Sequence, residues 1–453
     1  MHLSLPLNNR TGSYIFDRLF RCDRIATLLE SPVINSDRST LTRYSICAGS
    51  PQTIDGQPQI FTPAIGGILD CLRGLLANPD REQRSDLPAH LPFVGGWLGW
   101  LGYELAWEIE ALPERKPDPL PFPIAYWYAP QALAILDHWE QLLYISAPTA
   151  AALTKLTAKL AGTDAGDRHT ATVPTSSIST ELNFHTSAAE YQQAIVQAQK
   201  YIQAGDIFQA NLSLRFSTQT DLDPWQIYQN LQSINPSPFA SYWQTPWGSM
   251  MSCSPERLVQ YQPPLATTRP IAGTRKRGHT PAQDSQLAQE LLANEKEIAE
   301  HIMLVDLERN DLGRVCRWGS VQVDELLSIE RYSHVMHLVS NVTGELDSQF
   351  DSIDLIRAMF PGGTITGCPK VRCLEIIADL EPCPRNLFYG SCGYLDRRGR
   401  LDLNILIRTL LYHQGTVWGQ VGAGIVADSH PQREWQESLQ KAAAQIAALG
   451  IIS

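Results

Sequence analysis

The stretch Thr268-Arg269-Pro270-Ile271-Ala272-Gly273-Thr274-Arg275-Lys276-Arg277-Gly278 carries four cations and two glycines in eleven residues. It lies between a strand-like run at 256–261 and a charged helical run that begins near Ala282. Gly273 has no Cβ, so backbone N–H groups there can come close to whatever binds, and Thr274 adds a hydroxyl donor. Read alone, the stretch is either a solvated, arginine-bearing turn or the floor of an anion site. The rest of the C-terminal half supplies partners suited to a small, doubly anionic substrate.

The chain of 453 residues is too long for one small core and suggests two or three domains. A hydrophobic content of 43% with 18% charged residues describes an ordinary folded protein. The formal charge of −11 argues against a nucleic-acid partner, which needs a basic face. Nine scattered cysteines with no Cys-x-x-Cys pair read as reduced thiols. With no signal-peptide core near the N-terminus and no apolar run of membrane length, the expectation is a cytoplasmic protein without a membrane partner.

Taken in order, residues 1–162 form an N-terminal domain of short strands and helices. Runs at 27–31 and 43–47 read as partner strands, 65–76 has helical apolar spacing, and 133–137 with 142–145 reads as a hairpin. The glycines of 95–102 recur every three residues without a phosphate-loop lysine, so close strand packing is expected there. Residues 163–182 lose apolar periodicity and read as a linker. The second domain, 183–453, opens with a helix announced by a Ser187–Glu190 capping box and stopped at Gly205. A strand at 207–216 then puts Gln209, Asn211 and Ser213 on one face, which is either the wet side of a sheet or one wall of a site.

Two acidic pairs stand on helices at i, i+3 spacing: Glu297 and Glu300 on one long helix expected over 284–304, Glu434 and Glu437 on another over 432–449. Each is either a solvated helix face or part of a cation site. The first precedes an apolar run that closes in a polar turn at Asn310-Asp311. The second follows Gly422-Ala423-Gly424, where small residues let backbone N–H groups approach an anion. Carboxylates without cysteine partners suit a hard cation such as magnesium. A zinc reading of His334-x-x-His337 lacks a third ligand at suitable spacing. A second cluster of glycines and hydroxyls, 361–370, ends in Lys370 at a helix start and reads as an anion site or a tight turn. Arg408 closes a strand at 403–407.

Together these residues resemble the chorismate-utilising enzymes, in particular component I of aminodeoxychorismate synthase and of anthranilate synthase. Ser254 to Arg257, Pro270 to Thr274, Ala299 to Asp311, His334 to His337, Gly362 to Lys370 and Gly422 to Gly424 match in order. The resemblance implies an α+β fold whose large, mainly antiparallel sheets form a β-sandwich core with helices outside. It implies magnesium held by Glu300 and Glu437, with Glu297 and Glu434 binding through water. Chorismate would be held by Gly273, Thr274, Arg275, Thr364, Lys370, Phe388, Arg408, Gly422, Ala423 and Gly424. Glu256 resembles the group that assists departure of the 4-hydroxyl, and His337 one that acts in later chemistry. Similar enzymes that add water place a lysine where Gln209 stands, so ammonia is the expected nucleophile. A separate glutamine amidotransferase subunit would supply it.

Within the family, Gly363, Thr366, Ser391 and the short N-terminal half favour amination to 4-amino-4-deoxychorismate, for 4-aminobenzoate and folate synthesis. Ala272 stands where many such enzymes carry a lysine, and alanine there is usual in anthranilate synthases, which make anthranilate and pyruvate. Ser31 with Pro238, Phe239 and Ala240 resembles the tryptophan pocket of the regulated enzymes. The reading outside the enzyme class is a non-catalytic paralogue that binds chorismate.

Overall fold

Alternation of apolar side chains decides the layers. In the strand Phe239–Thr245, Tyr242 and Trp243 are both buried but belong to two different cores, and Met251 and Met250 divide the same way on the neighbouring strand Gly248–Ser254. A strand buried on both faces must lie in the middle of a three-layer stack. The computed structural model describes residues 1–31, 40–77, 87–161, 181–331 and 335–451 and bears this out. One core lies between two large antiparallel sheets, and the other between the first sheet and an outer layer of helices. The fold is thus the expected α+β sandwich. Among the described residues no helix is long and apolar enough to cross a membrane.

The first sheet has twelve strands and the second ten. Both run through the two halves of the sequence. In the first, Ala26–Glu30 pairs with Phe239–Thr245, with Glu30 opposite Ala240. In the second, Gly96–Leu101 pairs with Ser391–Asp396, with Leu101 opposite Ser391. Of the expected linker only Glu181 and Leu182 lie within the described residues.

Local signals act where they were expected. Ser187 and Glu190 form a reciprocal capping box on Ala188–Gln203, and Gly205 (φ 83°) follows it. Leu133–Asp137 and Leu142–Ser146 form a hairpin, and Tyr44–Ala48 joins Ala26–Glu30. The helix expected from residue 65 begins later, as Ile68–Ala77. Gly99 lets two strands close up: a Cβ there would lie 2.1 Å from the Tyr126 carbonyl oxygen. The single helix expected over 284–304 is two, Pro281–Leu292 and Glu295–Gly313. Asn294 stops the run because its side chain accepts from the Glu297 N–H and caps a new helix. That helix carries straight through the turn expected at Asn310-Asp311.

Arg385 ties the layers beneath the site. Its guanidinium, 1% exposed, donates to the Glu381 carboxylate at 2.7 and 2.9 Å, to the Ile365 carbonyl at 2.8 Å and to the Asn211 carbonyl at 2.7 Å. Breaking a buried pair by removing one partner strands the other charge, at a cost of roughly 3–5 kcal/mol. Arg385→Met should therefore lower the unfolding free energy by about that much, measured by urea titration. A loss under about 1 kcal/mol would show that the pair holds nothing together.

Candidate functional site

The opening stretch is a strand, not a turn. Ile271–Lys276 pairs with Val335–Glu345, and the register slips between Ala272 and Thr274. Gly273 sits at the slip with φ 57°, a conformation that favours glycine. A Cβ there would lie 2.3 Å from Glu297 Oε2, so the Glu297 carboxylate lies directly across Gly273. Arg275 holds its other oxygen at 2.6 Å. The cross-strand neighbour of Thr274 is His337, and the Thr274 hydroxyl meets His337 Nδ1 at 3.0 Å. Burial pushes the imidazole down to about 3, and the Arg408 guanidinium adds to the effect. His337 is therefore neutral at working pH. His334 lies outside the described residues.

Arg408 (φ 51°) donates to the Asn235 side chain at 3.0 Å, and its own carbonyl accepts from the Cys253 N–H. Glu256 shares its surroundings. Burial raises this carboxyl to about 8, and the nearby Glu308 carboxylate adds to the rise. The Thr364 hydroxyl, the Ile271 N–H and Arg408 favour the ionised form without reversing the shift. Gly273, Thr274, His337, Arg408, Glu256 and Thr364 thus form one cluster, in which Glu256 and His337 are buried and Thr274 is exposed.

Glu308 escaped the sequence reading. It accepts from the Thr268 hydroxyl at 3.2 Å and the Gly363 N–H at 3.3 Å, and burial with the Asp311 charge raises it to about 7. Its signal is the acidic pair Glu308-x-x-Asp311 on one helix face, which a turn at Asn310-Asp311 would hide. Lys370 stands apart from its expected role. Its ammonium donates to Asp311 at 2.5 Å and to the Met359 carbonyl at 3.2 Å, a buried internal pair. Ala272, which stands at the position of the family lysine, lies opposite Leu338.

The acidic helices meet at the rim. Lys296 approaches Glu300 at 3.9 Å and Asp428 at 3.3 Å, and Lys441 holds Glu437 at 2.9 Å. Burial raises the Glu300 carboxyl, and the charges of Asp428, Glu297 and Glu434 raise it further. Burial and Glu437 likewise raise Glu434. Glu297 Oε2 is buried and accepts nothing among the described residues. Mutually repelling carboxylates with an unpaired buried oxygen fit a hard divalent cation. As placed, no three ligating side chains converge on one point among the described residues, and Arg275, Lys296 and Lys441 each engage one carboxylate.

On the opposite wall, strand Gln209–Gln219 pairs with Thr416–Ile425, which carries Gly422, Ala423 and Gly424. Phe388 is buried against the same strand farther along, with the Arg215 guanidinium 5.6 Å from its ring. Tyr389 reaches the glycines. Its φ of 64° swings the next side chain around, and its hydroxyl would sit 2.9 Å from a Cβ on Gly422. A separate cavity of about 420 Å³ lies between the sheets. Ser31, Pro238, Phe239 and Ala240 all line it, with Arg43, and the Ser31 hydroxyl donates to the Pro238 carbonyl at 2.7 Å.

The sequence is 58% identical to an anthranilate synthase component I-like protein of Synechocystis over 98% of this chain and 91% of that one. It is 42% identical to aminodeoxychorismate synthase component 1 of Bacillus subtilis over 98% and 96%. The fold matches the crystal structure of anthranilate synthase component I from Streptococcus pneumoniae with a TM-score of 0.77, at 29% identity over 92% of this chain and 94% of that one. Residues 32–447 match the chorismate binding enzyme family, and the chain belongs to it.

Proposed function

We propose that this protein aminates chorismate with ammonia to 4-amino-4-deoxychorismate, the ammonia coming from a separate glutamine amidotransferase subunit. The observation that carries the reading is Glu256, a carboxyl that burial keeps protonated near neutral pH beside a guanidinium. A carboxylic acid of that kind can hand its proton to a departing hydroxyl. The ammonia nitrogen bonds to the ring, the C4–O bond breaks, and the Glu256 proton leaves with the hydroxyl as water. One N–H proton then returns to the Glu256 carboxylate. Arg408 and the backbone of 422–424 would hold one substrate carboxylate. A magnesium ion held by Glu300 and Glu437, with Glu297 and Glu434 through water, would supply Lewis-acid neutralisation of the other.

Two observations bear on the product. Loss of pyruvate to give anthranilate requires proton transfers at the ring, and a His337 imidazole held down to about 3 is a poor acceptor for them. That favours retention of the enolpyruvyl group. Ala272 speaks for anthranilate, since it removes the amine expected in many aminodeoxychorismate synthases, and with it any covalent route through that position.

Glu256→Gln should lower turnover by about 10²–10⁴-fold. In the parent protein, at a fixed concentration of free ammonia, rate should fall as pH rises through about 8, because the raised carboxyl is protonated below that pH and ionised above it. Persistence of the same falling limb in Glu256→Gln would assign it to another group. Glu300→Gln should weaken magnesium binding tenfold or more by calorimetric titration, with the circular dichroism spectrum unchanged. Unaltered magnesium affinity would remove Glu300 from the metal site. The product is decided by incubating the chain with chorismate, magnesium and ammonia and separating the products by liquid chromatography with mass detection. We expect a compound that an aminodeoxychorismate lyase converts to 4-aminobenzoate; anthranilate with pyruvate, formed without the lyase, would establish the other branch.

A further inference from the structure

Glu308 stands within the helix Glu295–Gly313 with its side chain turned into the protein, 3% exposed. Both of its oxygens are engaged. Oε1 accepts from the Gly363 N–H at 3.3 Å and Oε2 from the Thr268 hydroxyl at 3.2 Å. The approach needs a glycine: a Cβ at Gly363 would lie 2.5 Å from a Leu307 methyl and 3.3 Å from Glu308 Oε1. Helix and turn are therefore in direct contact, with Glu308 bonded across the join.

What the two anchor points have in common is Glu256. Thr364, next to Gly363, faces the Glu256 carboxyl with its hydroxyl, which completes no hydrogen bond of standard length among the described residues. The Ile271 N–H, directly after Pro270 and a short step beyond Thr268, is the second donor facing that carboxyl. Glu308 thus holds the backbone on either side of Glu256. A glutamine could do that much, with its amide oxygen on Gly363 and its NH2 on Thr268. A buried carboxylate costs far more than a neutral amide, so its charge calls for a use. The charged groups that bear on it are Asp311 and Lys370, bound to each other at 2.5 Å, and Glu256. Asp311 and Lys370 act on Glu308 in opposite senses, which leaves Glu256 as the group its charge serves.

We propose that Glu308 is a positioning residue for Glu256: it pins Gly363 and Thr268 so that the Thr364 hydroxyl and the Ile271 N–H flank the acid, and it sets a like charge beside it. The inference rests on the reading of Glu256 as the acid that protonates the leaving hydroxyl. A like charge opposes ionisation, so an ionised Glu308 keeps the Glu256 proton in place until the hydroxyl departs. Arg408 acts on Glu256 in the opposite sense. Once the proton has gone, the two flanking donors stabilise the carboxylate left behind. The two carboxyls titrate as a pair and not independently.

Anchoring and charge separate in two variants. Glu308→Gln keeps both hydrogen bonds and removes the charge, whereas Glu308→Leu removes both. At a fixed concentration of free ammonia and a pH below the falling limb, Glu308→Leu should lower kcat about tenfold or more. The chorismate dissociation constant, measured by calorimetry, should stay within about threefold. Glu308→Gln should recover most of the lost kcat. Its falling limb should lie about half a pH unit or more below that of the parent protein, because Glu256 freed of a like charge ionises sooner as pH rises. A merely structural role would leave the limb in place. An unmoved limb in Glu308→Gln, or equal losses of kcat in the two variants, would overturn the positioning role. Should Glu308→Leu fail to fold, the limb of Glu308→Gln decides alone. A limb that persists unchanged in Glu256→Gln would overturn the reading of Glu256 itself, and this inference with it.

Discussion

Arg385 carries a fixed charge where almost no water reaches, and Glu381, four residues earlier, is its counter-ion. The pair could neutralise itself and do no more, yet both ends are used again. Glu381 takes the N–H and hydroxyl of Ser213, and Arg385 donates to the carbonyls of Asn211 and Ile365. The guanidinium also lies 4.6 Å from the Tyr389 ring centroid and 4.5 Å from that of Tyr103. One ion pair therefore sets the positions of the polar strand, the 363–366 turn and the phenol that faces Gly422. A charge that must keep three hydrogen-bond partners to remain buried leaves each of them little freedom. The wall of the site is rigid because moving any part of it would strand this pair.

Above that floor, the chemistry depends on keeping charge scarce. Glu256 and Glu308 are both raised by burial, to about 8 and about 7. His337 is held neutral by the same cause. Arg408 is a full charge that acts on both Glu256 and His337. A dianionic substrate entering such a place meets a cation and hydrogen-bond donors, while the protonated Glu256 offers a proton instead of repulsion. At the rim the balance reverses: four glutamates crowd together and are relieved by Arg275, Lys296 and Lys441. A divalent cation arriving with substrate would have to displace or rearrange these bases, which links metal and substrate binding at the rim.

Much of this was legible from residues alone, and the reasons differ by scale. Capping boxes and hairpins are local, so Ser187 with Glu190 and the Leu133–Asp137 hairpin read correctly. The break at Asn294 was missed because the flanking residues are good helix formers, and a single capping amide outweighs that tendency. Lys370 beside glycines and hydroxyls looks like an anion ligand, and only the fold brings Asp311 within 2.5 Å of it. Phe388 and Tyr389 are adjacent, and only the fold shows that the Tyr389 hydroxyl faces Gly422 while Phe388 packs against Arg215. Glu381 and Arg385 carry no signature at all, since an i, i+4 pair reads first as a surface salt bridge.

The same comparison shows why the polar face of 209–213 was ambiguous in the sequence and is not ambiguous in the structure. Alternating amides and hydroxyls usually mark the wet side of a sheet. Here Arg385 donates to the Asn211 carbonyl and the Tyr389 hydroxyl faces Gly422, so that side packs against protein. The protein supplies partners for Ser213, through Glu381 and Gln420, and withholds them from Asn211 Oδ1 and Gln209 Oε1. A fold able to complete three hydrogen bonds around one hydroxyl could have completed two more a few ångströms away. That it leaves two acceptors open on a strand whose Asn211 is tied through Thr364 to Glu256 is the pattern of a site, because stability alone would have filled them.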